Sequence, residues 1–408
     1  RDYVPADSEG SLADLPESRL QLAEVSFSFQ NIQRNGPLIA GLVHQYDAVL
    51  DDERIEVSAE MDPGASYGRS LGIEADIPLQ LVDVNQDMRA DTSWDLRLYA
   101  KDFRLDKLLE ITELSDFPVI DSEGDAEFRV AFTGMAPVAL ESELELQQLE
   151  LAQPGGVPVV IDRLTGYLDW RLINGGWRAS GERVRIERGS RVWPDSDFII
   201  RYTQGPEPAR QQVSANATFL RADDLLPFMQ ALIPVQLQEA GFTGSVTGDF
   251  SDLGLELELI DSEMDSFELD SFKLDVQFLN LGYVSFDKGF DISGFSGRVA
   301  ADNGGGNLEI NTRDARFGVA EIFREVLDVS LLEGLAIWRA GPQGYRVLAD
   351  GIRLETPEGS ATASLELGLD QDLANPIIDL NDEAKLDAVS AAPRYLPKML
   401  PSKVLEWL

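Results

Sequence analysis

Apolar and polar residues alternate with a period of two through most of the chain. Leu253, Leu255, Leu257 and Leu259 are separated by Gly254, Glu256 and Glu258, and Phe272, Leu274, Val276 and Phe278 by Lys273, Asp275 and Gln277. Successive side chains of a strand point to opposite faces, so this pattern predicts strands with one apolar and one wetted face. Leu144 and Leu146 are followed by Leu149 and Leu151, and the lost parity at Gln147-Gln148 predicts a bulge. Turn signals separate the runs at Asn174-Gly175-Gly176, Asn303-Gly304-Gly305-Gly306, Pro342-Gln343-Gly344 and Pro357-Glu358-Gly359. A strand every 8–12 residues predicts roughly 30 strands.

Helical spacing is sparse. It predicts short helices near 104–114 and 222–239, each with Asp near its start, and near 319–328, where Val319, Ile322, Phe323, Val326 and Leu327 share a helical face. Pro234 should kink or end the second. Helices this few cannot cover so many strands. The apolar face must close on itself, pair with a second sheet, or be left facing something apolar. The expected organisation is an N-terminal β segment (1–115), a first repeat-containing β unit (116–240) and a second β unit (241–408), joined in one continuous elongated structure.

An internal repeat underlies that division. Segments 161–187 and 329–355 align without a gap at a constant offset of 168. Identical pairs include Gly166/Gly334, Trp170/Trp338, Arg171/Arg339, Gly176/Gly344, Arg178/Arg346 and Arg185/Arg353. Each reads as a three-strand meander: a strand ending in Trp-Arg, a glycine turn, a strand opening with an aromatic-Arg pair, and a strand reading apolar-Arg-apolar-Glu. A weaker echo at offset 117 joins Arg104, Asp106, Leu108 and Leu109 to Arg221, Asp223, Leu225 and Leu226. Repeated units of this kind predict an extended architecture in which each covers its neighbour.

Composition narrows the chemistry. With 34 Lys+Arg against 72 Asp+Glu among 408 residues, the net charge is −38, which argues against nucleic acid as a partner. Cysteine is absent and His44 is the only histidine, so disulfides, thiol chemistry and most metal-binding sets are excluded. Gly64-Ala65-Ser66-Tyr67-Gly68 has the letters of a nucleophile elbow but follows Asp62-Pro63, with His44 upstream, and reads as a loop. Asp83 to Asp91 resembles the start of a calcium loop, yet Met88 stands where glycine is needed and Trp94 where the bidentate Glu belongs. No cofactor, metal or catalytic residue is expected, and the chain is read as non-enzymatic. No stretch of about 18 apolar residues occurs. The sequence starts at Arg1 without Met and stops at Trp407-Leu408 inside an apolar segment, which predicts a piece of a longer protein.

The residues Phe272–Phe278, Gly294–Arg298, Leu332–Trp338 and Tyr395–Pro401, with Trp407 and Leu408, carry a resemblance to the AsmA-like superfamily, YhdP type. The earlier Leu164–Trp170 unit looks like the same module. The resemblance implies a mainly β fold: an elongated, curled and twisted antiparallel sheet forming an apolar groove, with a few short amphipathic helices. It also implies a periplasmic protein held in the inner membrane by an anchor outside this sequence, carrying phospholipid between the inner and outer membranes. Under that reading Leu253, Leu255, Leu257, Leu259, Phe272, Leu274, Val276 and Phe278 line the concave, lipid-bearing face. The residues alone leave a second reading open, a structural or adhesive envelope scaffold with a closed sandwich core.

Overall fold

The computed structural model describes residues 17–30, 38–51, 53–81, 92–112, 118–152, 158–205, 210–225, 244–262, 266–285, 289–319, 325–342, 344–369 and 377–387. The described residues are mainly antiparallel strands and fall into two compact units, Arg1–Asp197 and Phe198–Leu408.

The first unit contains β1 (Ser18–Gln30), β2 (Leu38–Leu50), β3 (Arg54–Asp62), β4 (Ser70–Pro78), β5 (Ser93–Phe103), β6 (Val119–Thr133), β7 (Ala136–Leu151), β8 (Val159–Ile173), β9 (Gly176–Arg188) and the two-residue β10 (Arg191–Val192). Each strand from β1 to β9 pairs antiparallel with the next. A 3-10 turn (Leu79–Leu81) follows β4, and α1 (Leu105–Thr112) stands between β5 and β6. The ladder continues past residue 115, because β5 and β6 pair from Ser93↔Thr133 to Phe103↔Gly124.

The second unit contains β11 (Ser196–Gln204), which begins at the boundary, β12 (Arg210–Arg221), β13 (Gly244–Ser262), β14 (Ser266–Ser285), β15 (Phe290–Asp302), β16 (Gly305–Val319), β17 (Leu327–Gly341), β18 (Gly344–Thr356), β19 (Gly359–Leu369) and β20 (Ile377–Leu386). Here too each strand pairs antiparallel with its successor.

The described strands are fewer and longer than the sequence predicts. β13 has 19 residues and β14 has 20. Bulges explain the length: an odd residue is absorbed and the strand goes on. Gln148 is one, with φ 51, where the lost parity predicts it. At four bulges the left-handed residue keeps its N–H satisfied by a side chain of a neighbouring strand. Asp102 donates to Asp125 Oδ1 at 2.9 Å, Arg183 to Asp197 Oδ1 at 2.9 Å, Asn280 to Ser296 Oγ at 3.1 Å and Gly351 to Ser364 Oγ at 3.5 Å. A backbone donor pushed out of the ladder is thereby not left orphaned.

Of the helices, α1 falls within the predicted 104–114. Its first N–H groups need partners, and Leu105 N donates to Ser122 Oγ at 3.1 Å. Residues 222–225 are helical, and the remainder of the 222–239 prediction lies outside the described residues. The helix predicted at 319–328 is corrected at both ends. Val319 pairs with Phe290 and Leu327 with Phe317, so both are strand residues, and 320–324 lie outside the described residues. The spacing thus took in the end of one strand at Val319 and the start of the next at Leu327.

The repeat is present in the register, as a two-strand hairpin rather than a three-strand meander, because the strand after the glycine turn runs on through its bulge as Gly176–Arg188 and Gly344–Thr356. Arg163↔Glu187 in β8–β9 becomes Leu331↔Glu355 in β17–β18, Trp170↔Ala179 becomes Trp338↔Val347, and Ile173↔Gly176 becomes Gly341↔Gly344. Both hairpins slip at the same place, Thr165/Tyr167 and Glu333/Leu335. The bulge residues also correspond, Arg183 at φ 52 and Gly351 at φ 63. Trp170 and Trp338 are both half-buried. The weaker echo is a shared strand-to-helix junction. Arg104 precedes α1 and reaches Asp106 at 3.3 Å, and Arg221 precedes the helical turn and clamps Asp249 at 2.6 and 3.1 Å.

Core burial is concentrated in the first unit. Leu146, Leu149, Leu151 and Ile161 are fully buried there and Ile186 and Trp193 nearly so, with Phe103 just ahead of α1. Elsewhere the apolar residues form a face.

Candidate functional site: an uncovered apolar face

Cross-strand register assembles that face. In the first unit, direct opposition links Leu20, Ala48, Val57, Ala75, Leu96, Val130, Leu140, Trp170 and Ala179, one residue from each strand β1 to β9. Every member is apolar. One residue along, the opposite face carries Gln21, Asp47, Ser58, Glu74, Arg97, Arg129, Glu141, Asp169 and Ser180, and every member is polar. The second unit repeats the arrangement from β11 to β19 with Ile200, Ala215, Leu255, Leu274, Ala301, Gly306, Trp338, Val347 and Leu367.

The residues singled out from the sequence lie in or beside this row. Leu255 stands between Ala215 and Leu274, and Leu257 between Val213 and Phe272. Leu253 is opposite Ala217, Val276 opposite Val299, and Phe278 between Phe250 and Gly297. Leu259 is marginal, between Gln211 and the exposed Leu269. Of the eight, Val276 alone is buried, at 5% exposure. The other seven are half-buried.

That intermediate burial is informative. A second sheet packed about 10 Å above would seal such side chains. Here the row members of the second unit are all half-buried, as are those of the first from Ala48 onward, while Leu20 on β1 is 53% exposed. Neighbouring side chains shield one another, and among the described residues no layer covers the row. The small members, Ala215, Ala301 and Gly306, were not found from the sequence because they carry little hydrophobic signal. Only the register exposes them.

The other face is laced with ion pairs. Arg19 Nε donates to Asp47 Oδ1 at 2.9 Å, Arg129 pairs with Asp95 at 2.8 Å, Arg163 with Glu145 at 2.7 Å, and Arg298 clamps Asp275 at 2.9 and 2.7 Å. The Arg19 and Arg298 hydrogen bonds hold the carboxyls of Asp47 and Asp275 below their usual range. Arg171 is bridged to Asp169, so the Trp-Arg step of the repeat puts the indole on the apolar face and the guanidinium among carboxylates. The first unit also has a cavity of about 480 Å³ on its charged face, lined by Tyr99, Glu127, Glu143 and Tyr167, among others. Burial, with help from Glu141, raises the Tyr167 hydroxyl pKa.

Residues Gly64–Gly68 form the turn between β3 and β4, with Tyr67 N and Gly68 N donating to Gly64 O at 2.9 and 3.3 Å. No nucleophile elbow is built there. The calcium-like stretch Asp83–Asp91 lies outside the described residues. His44 is exposed on β2, 3.4 Å from Glu24. Among the described residues no cluster of three metal-ligating side chains occurs, and no helix is long and apolar enough to cross a membrane.

Nine successive strands with a continuous apolar row, uncovered and backed by a charged face, define an antiparallel β protein whose distinguishing surface is apolar. The chain belongs to the YhdP protein family, whose sequence model matches residues 18–408, and is thus a YhdP-type AsmA-like protein. No curated protein and no solved structure shows significant similarity to it.

Proposed function

We propose that the protein is a non-enzymatic conduit that carries phospholipid between the inner and outer membranes of a Gram-negative envelope, its acyl chains lying along the apolar row. Membership of the YhdP family supports the envelope setting. The carrying observation is the half-buried, uncovered row of apolar residues on β1–β9 and again on β11–β19. A protein in water rarely keeps such a face without something to bind it. Removing apolar area from water is worth about 25 cal/mol per Å² and has no preferred direction, so a chain can slide along the row without a specific site. The scaffold reading needs a sealed core, and row burial does not favour it. The full-length protein would hold to the inner membrane by an anchor beyond this sequence.

The test is photo-crosslinking in cells. A photoreactive residue at Leu274, in the row, should capture phospholipid, and one at Asp275, on the charged face, should not. Equal capture at the two positions would overturn the proposal.

A further inference from the structure

Left-handed backbone at residues other than glycine follows one rule in this ladder. Asp102 stands where β5 slips against β6, Gln148 where β7 slips against β6, and Arg183 where β9 slips against β8. Asp252 and Asn280 mark two slips between β13 and β14, and Asp314 the slip of β16 against β15. In each case the strand with the left-handed residue holds more residues than the stretch opposite: Gln147 to Glu150 on β7 spans only Glu123 to Asp121 on β6. A positive φ is costly for a residue with a side chain, and here it is kept where a surplus residue has to be absorbed.

Glu24, at φ 55, breaks the rule. Its strand pairs with β2 without a slip, Ala23↔Gln45 on one side of it and Val25↔Val43 on the other. Opposite stands His44, 3.4 Å away, where β2 slips against β3 between Val43 and Gln45. The irregularity in β2 therefore has a strand that absorbs it. The one in β1 has none among the described residues, where β1 pairs with β2 alone. The surplus residue keeps Leu20, Leu22 and Val25 on the apolar side, where Ala48, Tyr46 and Val43 link them to Val57, Ala59 and Met61 of β3. All three are exposed, whereas their β2 partners are half-buried. A true sheet edge is ordinarily defended by charge or proline. Strand β1 offers only Arg19 and Glu24, whereas the shorter β20 carries Asp379, Asp382, Glu383 and Lys385.

We infer that β1 is an interior strand of the natural protein. Its free edge pairs antiparallel with a further strand of the same polypeptide, upstream of residue 1, which holds one residue fewer across Glu24 and sets apolar side chains against Leu20, Leu22 and Val25. Connectivity names the occupant, since within both units strands pair with their neighbours in sequence. Residues 1–17 include Pro5, Gly10 and Pro16, the composition of a connector and not of a ladder strand. Residues 104–118, which join the paired β5 and β6, form a stretch of similar length, and both stretches close on the same pattern, Asp14-Leu15-Pro16 and Asp116-Phe117-Pro118. A second copy fits less well: self-pairing centred on Glu24 would set bulge against bulge and carboxylate against carboxylate.

The experiment is photo-crosslinking of the natural full-length protein from Gln21 and, separately, from Ser26, both exposed and both on the side of β1 away from the row. Besides β2, each should link to one upstream segment of alternating apolar and polar residues. The two linked positions should lie one residue closer together than Gln21 and Ser26 do, because β1 absorbs its surplus at Glu24. A photoreactive residue at Ser58, flanked by Asp47 of β2 and Glu74 of β4, should link to those two strands and not to the upstream segment. Linked positions spaced as Gln21 and Ser26 are would overturn the role given to Glu24. Links to a second copy or to another protein would overturn the occupant. Links to β2 alone would make β1 a true edge and overturn the proposal. Lipid capture at Leu274 is read independently of all these outcomes, so the conduit reading stands or falls apart from this one.

Discussion

Gly334 lies under Ile352: a Cβ placed on Gly334 would come within 2.2 Å of Ile352 Cδ1. The repeat holds the same relationship more loosely, since a Cβ on Gly166 would stand 3.0 Å from Val184 Cγ2. In both cases a β-branched side chain next to the repeat's slip crosses a glycine on the neighbouring strand. Gly334→Ala should destabilise the second unit by about 1 kcal/mol, because Ile352 Cδ1 can swing aside while its Cα, 3.2 Å from the added Cβ, cannot, and Gly166→Ala should cost the first a similar amount. Combining it with Ile352→Ala should recover part of the loss. Denaturant unfolding of the four variants checks this, and strictly additive losses at 334 and 352 would contradict the packing.

Arg183 and Gly351 are equivalent bulge residues in the same left-handed backbone region. Only glycine occupies it without a steric penalty. Arg183→Gly should therefore leave stability unchanged or raise it by up to about 1 kcal/mol, and Gly351→Arg should lower it by about 1 kcal/mol. Thermal unfolding reads both. Effects of the same sign would show that the two bulges are not equivalent.

The Asp275–Arg298 pair gives a pH signature. Its folded-state pKa is lowered, chiefly by the Arg298 hydrogen bond. The contribution to stability is present above the carboxylate's unfolded pKa and is lost as pH falls through the folded value. Arg298→Gln should destabilise slightly near neutrality, by an amount that salt reduces, because both side chains are substantially exposed. Once pH has fallen through the folded value, so that Asp275 is protonated in both proteins, the difference should vanish. A gap that persists in acid would assign it to packing by the arginine stem.

Charge in the row should stop lipid without unfolding the protein. Leu257 is half-buried, so Leu257→Asp forfeits about 1 kcal/mol of burial and leaves a carboxylate where acyl chains would lie. Lipid capture at a photoreactive Leu274, its near neighbour, should fall severalfold, whereas Glu256→Gln on the opposite face should leave it unchanged.

Much of the fold is legible in local sequence because a strand's two faces differ chemically. Leu255 and Glu256 declare their sides without reference to any partner. The repeat was legible for the same reason, since its hairpin is contiguous. The row itself was not. Whether Leu274 meets Ala301, and Ala301 meets Gly306, depends on where each bulge and turn sets the register, which no single strand records. The misplaced ends of the helix predicted at 319–328 share that origin, because Val319 and Leu327 belong to different strands and pair with Phe290 and Phe317.

The bulges also govern which insertions and deletions the chain can survive. One residue gained or lost within a strand exchanges its faces beyond that point, setting a Glu or Arg into the row and a Leu among carboxylates. Two residues restore the faces and only slide the strand. Gain or loss should therefore accumulate in pairs within strands, and singly only where a bulge such as Gln148 takes up the odd residue. In relatives of this chain, odd-numbered length differences should cluster at bulges and hairpin ends, leaving the chemistry of each face unbroken.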